Sequence, residues 1–501
     1  MKIKFLLPAL FALLLAACSD YESFSDNPAY RLSFSEDTIR FDTLVSTIPS
    51  STKTLYAFNN NGDGLRVSTI QLEGGAASHF RVNVDGRYLA DGVWHDFEVL
   101  KHDSLVVRIE MTPPEAGSTE PLYFDDKLHF LLENGATQTV VLTGGSIDAY
   151  IMKEGLMVEA DQTLLTDKPY VIYDSLVVKQ GAELTLTEGT TLMFHDKAAL
   201  HVYGKLTVQG SLEKPVVLRG DRLDHMFDYL RYDNTPSRWE GIVVHRGSYG
   251  NTLSQCDLHS SRFGIICEDT EQLKPDEANP SVTLDGCILH NIGGDGMQLN
   301  NCVSRVTNTQ ISNTLGHTVS ISGGSHDFVY CTLAQFYPFA VSQGTRGDAL
   351  HLVSSEEGDE YGMLRRAHFI NCVITGYGSD VIMGENIVTD SYTCDYLFHH
   401  CFLNTPAVDD EEHFAGCIFD QDKKKDEEDK LVRQDNFLVF DTENFIYDFT
   451  PKDSSLIRSL ADPSYADLPL FDRKGVSRLA DEGPDAGCYE YVAPPDEEGE
   501  E

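Results

Sequence analysis

The sequence predicts an all-β chain in two parts, an N-terminal β-sandwich followed by a solenoid of parallel strands, and three observations lead there. Residues 28–150 are short alternating runs parted by Gly, Asn and Pro, as in SHFRVNVDG and SLVVRIEMTPP. Runs of about five to seven residues with a two-residue apolar period and regular turn signals describe antiparallel strands. From residue 151 the runs become shorter still, with no room for crossover helices, so parallel pairing requires the chain to wind as a coil. A triplet Cys-x-aliphatic then recurs at Cys256-Asp257-Leu258, Cys287-Ile288-Leu289, Cys331-Thr332-Leu333, Cys372-Val373-Ile374 and Cys401-Phe402-Leu403, with Thr309-Gln310-Ile311 filling the gap. Positions 287, 309 and 331 are 22 apart, and longer intervals hold insertions such as EDTEQLKPDEANP. Insertions at a fixed phase of a constant period mark a solenoid, because extra residues can only bulge from a corner.

In chain order, residues 1–17 carry Lys2 and Lys4 and then an apolar run from Phe5 to Ala17, which is too short to cross a bilayer and has the layout of a secretory signal. The following Leu15-Ala16-Ala17-Cys18 resembles the lipobox of bacterial lipoproteins. That resemblance implies lipidation at Cys18, a linker over 18–27 and a body tethered to a membrane by acyl chains. Asp20 and Glu22 behind the Cys resemble the acidic residues that accompany surface display in Bacteroides lipoproteins, which implies an outer-membrane, surface-exposed location.

Within 28–150, NNNGDGLRVSTIQLEGG and DKLHFLLENGATQTVVLTGG resemble the immunoglobulin-like domains at the front of such lipoproteins. QGAELTLTEGTTLMF and ALHVYGKLTVQGS resemble the opening coils of right-handed parallel β-helix proteins, the superfold of pectate lyases and polygalacturonases. The resemblance implies a right-handed β-helix over 151–434, of roughly ten coils at the period above. Final coils and a C-terminal cap follow over 435–492. Gly483-Pro484-Asp485-Ala486-Gly487-Cys488-Tyr489-Glu490 resembles the closing motif of exported Bacteroidetes β-helix proteins, placed as a cap over the last sheet edge. Residues 493–501 are an acidic tail.

The formal charge of −41, from 79 acidic against 38 basic residues, excludes nucleic acid as a partner. Part of the excess lies in DDEEH, DQDKKKDEEDK and DEEGEE, which read as solvated runs; no cofactor is expected, with calcium binding there as the alternative. The register turns the cysteines into an inward column of small, nearly apolar side chains, since stacked coils place equivalent residues about 4.8 Å apart. There is no CxxC pair to suggest a metal site, and disulfides between neighbouring coils remain an alternative. Ser260, Asn291, Asn313 and Gln335, four residues on, read as a polar stack at a bend.

Counting eight residues from the Cys position gives Asp295, His317, Phe339 and Asp380, with Phe263 in the equivalent place one coil earlier. Besides plain structure, in which Phe263 and Phe339 pack at a corner and Asp295 and His317 bond to a turn, two functional readings are open. In the first, Phe263, Phe339 and Asp380 flank the acid and base on a face for an extended glycan or a cell-surface partner, with rings stacking on sugars and polar groups reading hydroxyls. In the second, GDGMQLN and GHTVSISG resemble two segments of polygalacturonase-type glycosidases, which implies catalytic roles for Asp295 and His317. One carboxylate cannot fill both roles of acid–base glycoside hydrolysis, so the second reading needs another acid. A lyase would need a base beside calcium, for which Arg262, Arg305, Arg346, Arg365 and Arg366 are the sparse candidates. The insertion 221–248 holds Trp239, either a ligand platform on a loop or a strand-entry residue packed on the coil. The expectation is a non-catalytic binding protein, with a polysaccharide hydrolase or lyase as the alternative.

Overall fold

The computed structural model describes residues 23–268, 278–340, 346–355, 362–389, 393–420, 432–465, 468–480 and 482–493. Cys18, the leader and most of the acidic tail lie outside them. The chain is all-β with large parallel sheets, and it divides into two compact units, Met1–Asp148 and Ala149–Glu501.

In the first unit, one five-stranded sheet runs in the order Ser33–Phe34, Lys53–Phe58, Ser104–Met111, Phe80–Val84 and Arg87–Tyr88. The other runs Thr38–Val45, Thr137–Ile147, Leu122–Leu132, Leu65–Leu72 and Val93–Val99. Alternation places Leu55, Val82, Val107 and Ile109 of the first sheet in one core with Val67, Ile70, Leu128, Phe130 and Val140 of the second. Between the strands of these two sheets every pairing is antiparallel except Thr38–Val45 with Thr137–Ile147, which is parallel, a departure from the purely antiparallel expectation.

In the second unit the chain visits three stacks of strands in rotation. One stack is an 11-stranded parallel sheet from Tyr150–Met152 to Ile418–Phe419, in which Leu289, Ile311 and Leu333 are direct partners. The other two join into a 16-stranded sheet, because Met297–Thr307 and Val319–Val329 each run unbroken through the corner between them. This parallel winding is consistent with a β-helix solenoid. Inward residues form one continuous core, which includes a ladder of Phe328, Phe369, Phe398 and Phe414 with centroids 5.0–5.1 Å apart. Each fully buried side chain of this size contributes about 1.5–3 kcal/mol.

The cysteine column is present and its thiols are free. Cys287, Cys331, Cys372 and Cys401 direct their S–H groups at the carbonyls of Leu253, Val306, Phe328 and Phe369 on the preceding coil, at 3.2–3.4 Å. Thr309, in the gap, takes the same place, accepting from the Cys287 amide through its hydroxyl at 3.3 Å. The residue before each of these positions is left-handed: Gln255, Gly286, Asn308, Tyr330, Asn371 and His400, with φ between 47° and 65°. The predicted polar stack lies at a second left-handed corner, occupied by Ser260, Asn291 and Asn313. Short polar side chains tolerate that conformation by bonding locally, which explains their recurrence there.

The C-terminal segment corrects the capping expectation. Phe437, Phe449, Ile457, Ala486, Cys488 and Tyr489 pack on Ala334, Phe336, Val373 and Phe402. The Tyr489 hydroxyl donates to Gln310 at 2.6 Å and the Cys488 amide to Thr332 at 3.1 Å. The motif itself thus lies on the outward side of the 11-stranded sheet, against the strands of Gln310 and Thr332, while the cluster it belongs to also takes in Ile418 of the end strand.

Candidate functional site

The strands Ile265–Cys267, Met297–Thr307, Val319–Val329, Leu350–Val353 and Ile382–Glu385 align Ile265, Met297, Val319, Leu350 and Ile382. Two residues before each of these stand Phe263, Asp295, His317, Asp348 and Asp380, one per coil. Phe339 is not in this column, contrary to the count from the Cys position. Val319 follows Thr309 by 10 residues but Leu350 follows Cys331 by 19, so an insertion displaces Phe339 and brings Asp348 into its place. Phe339 stacks instead on Phe445 at 5.0 Å.

The corner that carries the column is built on close backbone approach. A Cβ on Gly316 would lie 2.2 Å from Asp295 Oδ1, and one on Gly347 would lie 2.4 Å from the Gly316 carbonyl carbon. The freed space lets each side chain bond the next coil. The His317 amide donates to Asp295 Oδ1 at 2.8 Å, and the Asp348 amide donates to His317 Nδ1 at 3.0 Å. An Nδ1 that accepts carries no proton, so the ring is neutral with its hydrogen on Nε2. Burial, the largest influence, pushes His317 below the ordinary imidazole value against the pull of Asp295. The ring lies 4.5 Å from that of His351, whose Nε2 is 3.1 Å from Glu385.

Asp295, His317 and Asp348 are half-buried, and Asp380 is exposed, accepting from the Thr405 hydroxyl at 2.8 Å. Beside the column run outward-facing Gln298, Ser320 and His351, then Asn300 and Ser322, in direct cross-strand register. Asp348 and Asp295 are two coils apart, about 10 Å along the stack. Asp348 is the acid that counting missed, because a 22-residue period carries no information about where a coil with an insertion resumes.

Trp239 belongs to the core, which corrects its candidacy as a ligand platform. Its indole is buried, stacks on Phe194 at 4.4 Å and donates its N–H to the His259 carbonyl at 2.8 Å. His326, further along the strand Val319–Val329, is also buried, with Nε2 on the Gly323 carbonyl and Nδ1 on Ser304, both at 2.9 Å. Of the sparse arginines, Arg262 faces Glu240, Arg366 pairs with Asp327 at 2.7 Å and Arg346 donates to the Tyr337 carbonyl. Each has a structural partner, which weakens the lyase reading.

A second cluster lies on the outward side of the 11-stranded sheet. His259 and His290 are cross-strand partners, and Asp257 shares the strand of His259. His259 Nδ1 and His290 Nε2 stand 2.9 and 3.2 Å from the same Asp257 oxygen, Oδ1. His259 Nε2 lies 3.3 Å from Asp233, which is carried by the 221–248 insertion and paired with Arg219. Burial opposes charge on His259, but Asp257 and Asp233 outweigh it and raise its pKa to about 9. Periodicity could not find this cluster, since Asp233 arrives from an insertion.

No protein-family model and no curated protein matches the chain. Among solved structures, it is similar to the ASH/PapD-like domain of human CEP192, with 16% identity and a TM-score of 0.16, covering 25% of this chain and 90% of that one. It is similar to a family 123 glycoside hydrolase from Clostridium perfringens, with 6% identity and a TM-score of 0.18, covering 23% of this chain and 26% of that one. A protein of unknown function from Porphyromonas gingivalis W83 matches at 14% identity and a TM-score of 0.16, over 27% of this chain and 59% of that one. Likenesses at these scores carry no argument about function.

Proposed function

We propose that the chain is an outer-membrane lipoprotein, anchored through Cys18, whose immunoglobulin-like unit precedes a right-handed parallel β-helix that binds an extended glycan or a cell-surface partner without turning it over. One observation carries the binding role: Phe263, Asp295, His317, Asp348 and Asp380 occupy one register on five successive coils beside rows of Gln, Ser, Asn and His. Stacked coils repeat this polar face about every 4.8 Å, which suits a long ligand contacted many times over a small pocket gripped once. A non-catalytic role is favoured because Asp295 Oδ1 and His317 Nδ1 are committed to main-chain amides. Among the described residues no helix is long and apolar enough to cross a membrane.

Asp348 leaves one competing reading, a glycoside hydrolase, because it adds a second carboxylate to the column, although the two coils that part it from Asp295 span about 10 Å, just beyond the roughly 6.5–9.5 Å of inverting glycosidases. A glycan array and a reducing-end release assay on wild type and Asp348→Ala separate the two. Binding without release, weakened in the variant, supports recognition. Release that disappears in the variant replaces it with hydrolysis, and binding unchanged in the variant removes the column from the function.

A further inference from the structure

We propose that Asp257, His259 and His290 form a binding site for a divalent transition-metal ion of the zinc class, with Asp233 orienting His259 from outside the coordination sphere. The three donor atoms, Asp257 Oδ1, His259 Nδ1 and His290 Nε2, lie within 4.8 Å of one another. The oxygen stands 2.9 and 3.2 Å from the two nitrogens. Metal–ligand bonds of about 2.0–2.1 Å in tetrahedral geometry put donors roughly 3.3 Å apart, so the two oxygen–nitrogen pairs need to open by only a few tenths of an ångström to admit an ion. Two imidazoles and one carboxylate suit zinc and its neighbours, whereas calcium prefers oxygen donors throughout.

The surroundings match what a metal-bound histidine requires. With Nδ1 on the ion, Nε2–H of His259 faces Asp233 at 3.3 Å, the carboxylate–histidine–metal arrangement that sets tautomer and ring orientation. Asp233 is held by Arg219, and its main-chain carbonyl accepts from Ser260 Oγ and from Asn291 Nδ2. The insertion is therefore seated on the same corner as the ligands. Access also fits: the side chains of Asp257 and His290 are 29% and 27% exposed, whereas His259 is 10% exposed. Three protein ligands with a solvent-facing side leave a fourth position for water or a ligand group. The site stands on a different sheet from the Asp295 column and does not depend on the function proposed for it.

A second group of donors is an internal control. His399, His400 and Asp462 are also mutually close, but His400 Nδ1 donates to the Leu460 carbonyl at 2.8 Å. Its Nε2 packs so closely on Gly416 that a Cβ there would lie 2.5 Å away. His400 is thus committed on one nitrogen and covered at the other.

The test is Zn²⁺ titration of the purified full chain against a chromogenic chelator, repeated with Co²⁺ to read the d–d spectrum. The expected result is one tight equivalent, weakened at least 100-fold in His290→Gln and 10- to 100-fold in Asp233→Asn, and unchanged in His399→Gln. The partly exposed His290 makes its Gln variant the one best placed to fold, and near-UV circular dichroism checks that it does. His290→Cys adds an independent readout, a thiolate-to-cobalt charge-transfer band. Absence of a tight equivalent in wild type overturns the proposal, as does undiminished binding in folded His290→Gln without the new band in His290→Cys.

Discussion

Replacing Asp295 by Ala and by Asn separates the two roles that its position allows. Asp295 Oδ1 accepts the His317 amide at 2.8 Å, at a corner where Gly316 leaves room for the carboxylate. A hydrogen bond to a charged acceptor contributes about 1.5–3 kcal/mol, and partial exposure of Asp295 places this one at the low end, about 1.5 kcal/mol. Since 1.4 kcal/mol is tenfold in an equilibrium constant, Asp295→Ala should speed exchange of the His317 amide about tenfold. Asn keeps an oxygen in place but loses the charge, so Asp295→Asn should give roughly a threefold change. Hydrogen exchange resolved to residues 315–319 measures both. A catalytic carboxylate would show the opposite sensitivity, since Asn would abolish sugar release as thoroughly as Ala. Unchanged exchange in Asp295→Ala, or equal exchange in both variants, would refute the amide-holding role.

Three further outcomes are expected. His326 is buried and neutral, with its pKa lowered by desolvation to about 4 from 6.5. The unfolded chain therefore takes up the proton first as pH falls; stability is complete above about pH 6.5 and loses about 3 kcal/mol by pH 4, a slope that urea unfolding should find flattened in His326→Gln. Burial raises the thiols of Cys256, Cys331, Cys372 and Cys401 well above the ordinary value and that of Cys287 to about 12, so a thiol-exchange reagent at pH 8 should leave them unmodified until denaturant is added. Arg478, buried against Glu490 and bonded to Asn308 at 2.7 Å, ties the C-terminal segment to the coils; Arg478→Met should strand the buried acid at a cost of about 3–5 kcal/mol, seen as early proteolysis after residue 435.

Much of the architecture was legible because a solenoid writes its geometry into a repeat. The 22-residue spacing correctly aligned Leu289, Ile311 and Leu333, recognised Thr309 as a stand-in for Cys, and placed Asp295 beside His317. The left-handed residue before each Cys was also legible in principle, but Gln, Asn, Tyr and His share no side-chain pattern that announces a backbone conformation. The reading failed where a coil was interrupted: Phe339 was placed in a column that Asp348 occupies. It failed again at the C-terminus, where a closing motif lies against a sheet face.

The sequence by itself determined the two-part all-β plan, the inward cysteine column and the neighbouring acid and base. These follow from periods of 2 and about 22, and a period passes from each strand to the next through pairing register. Only the tertiary structure decided that Trp239 is core, that Asp348 joins Asp295 and His317, and that Asp233 swings in over Asp257, His259 and His290. Insertions obey no period. Their places are set by packing and by hydrogen bonds such as those of Ser260 and Asn291 to Asp233, which exist only once the coils have stacked.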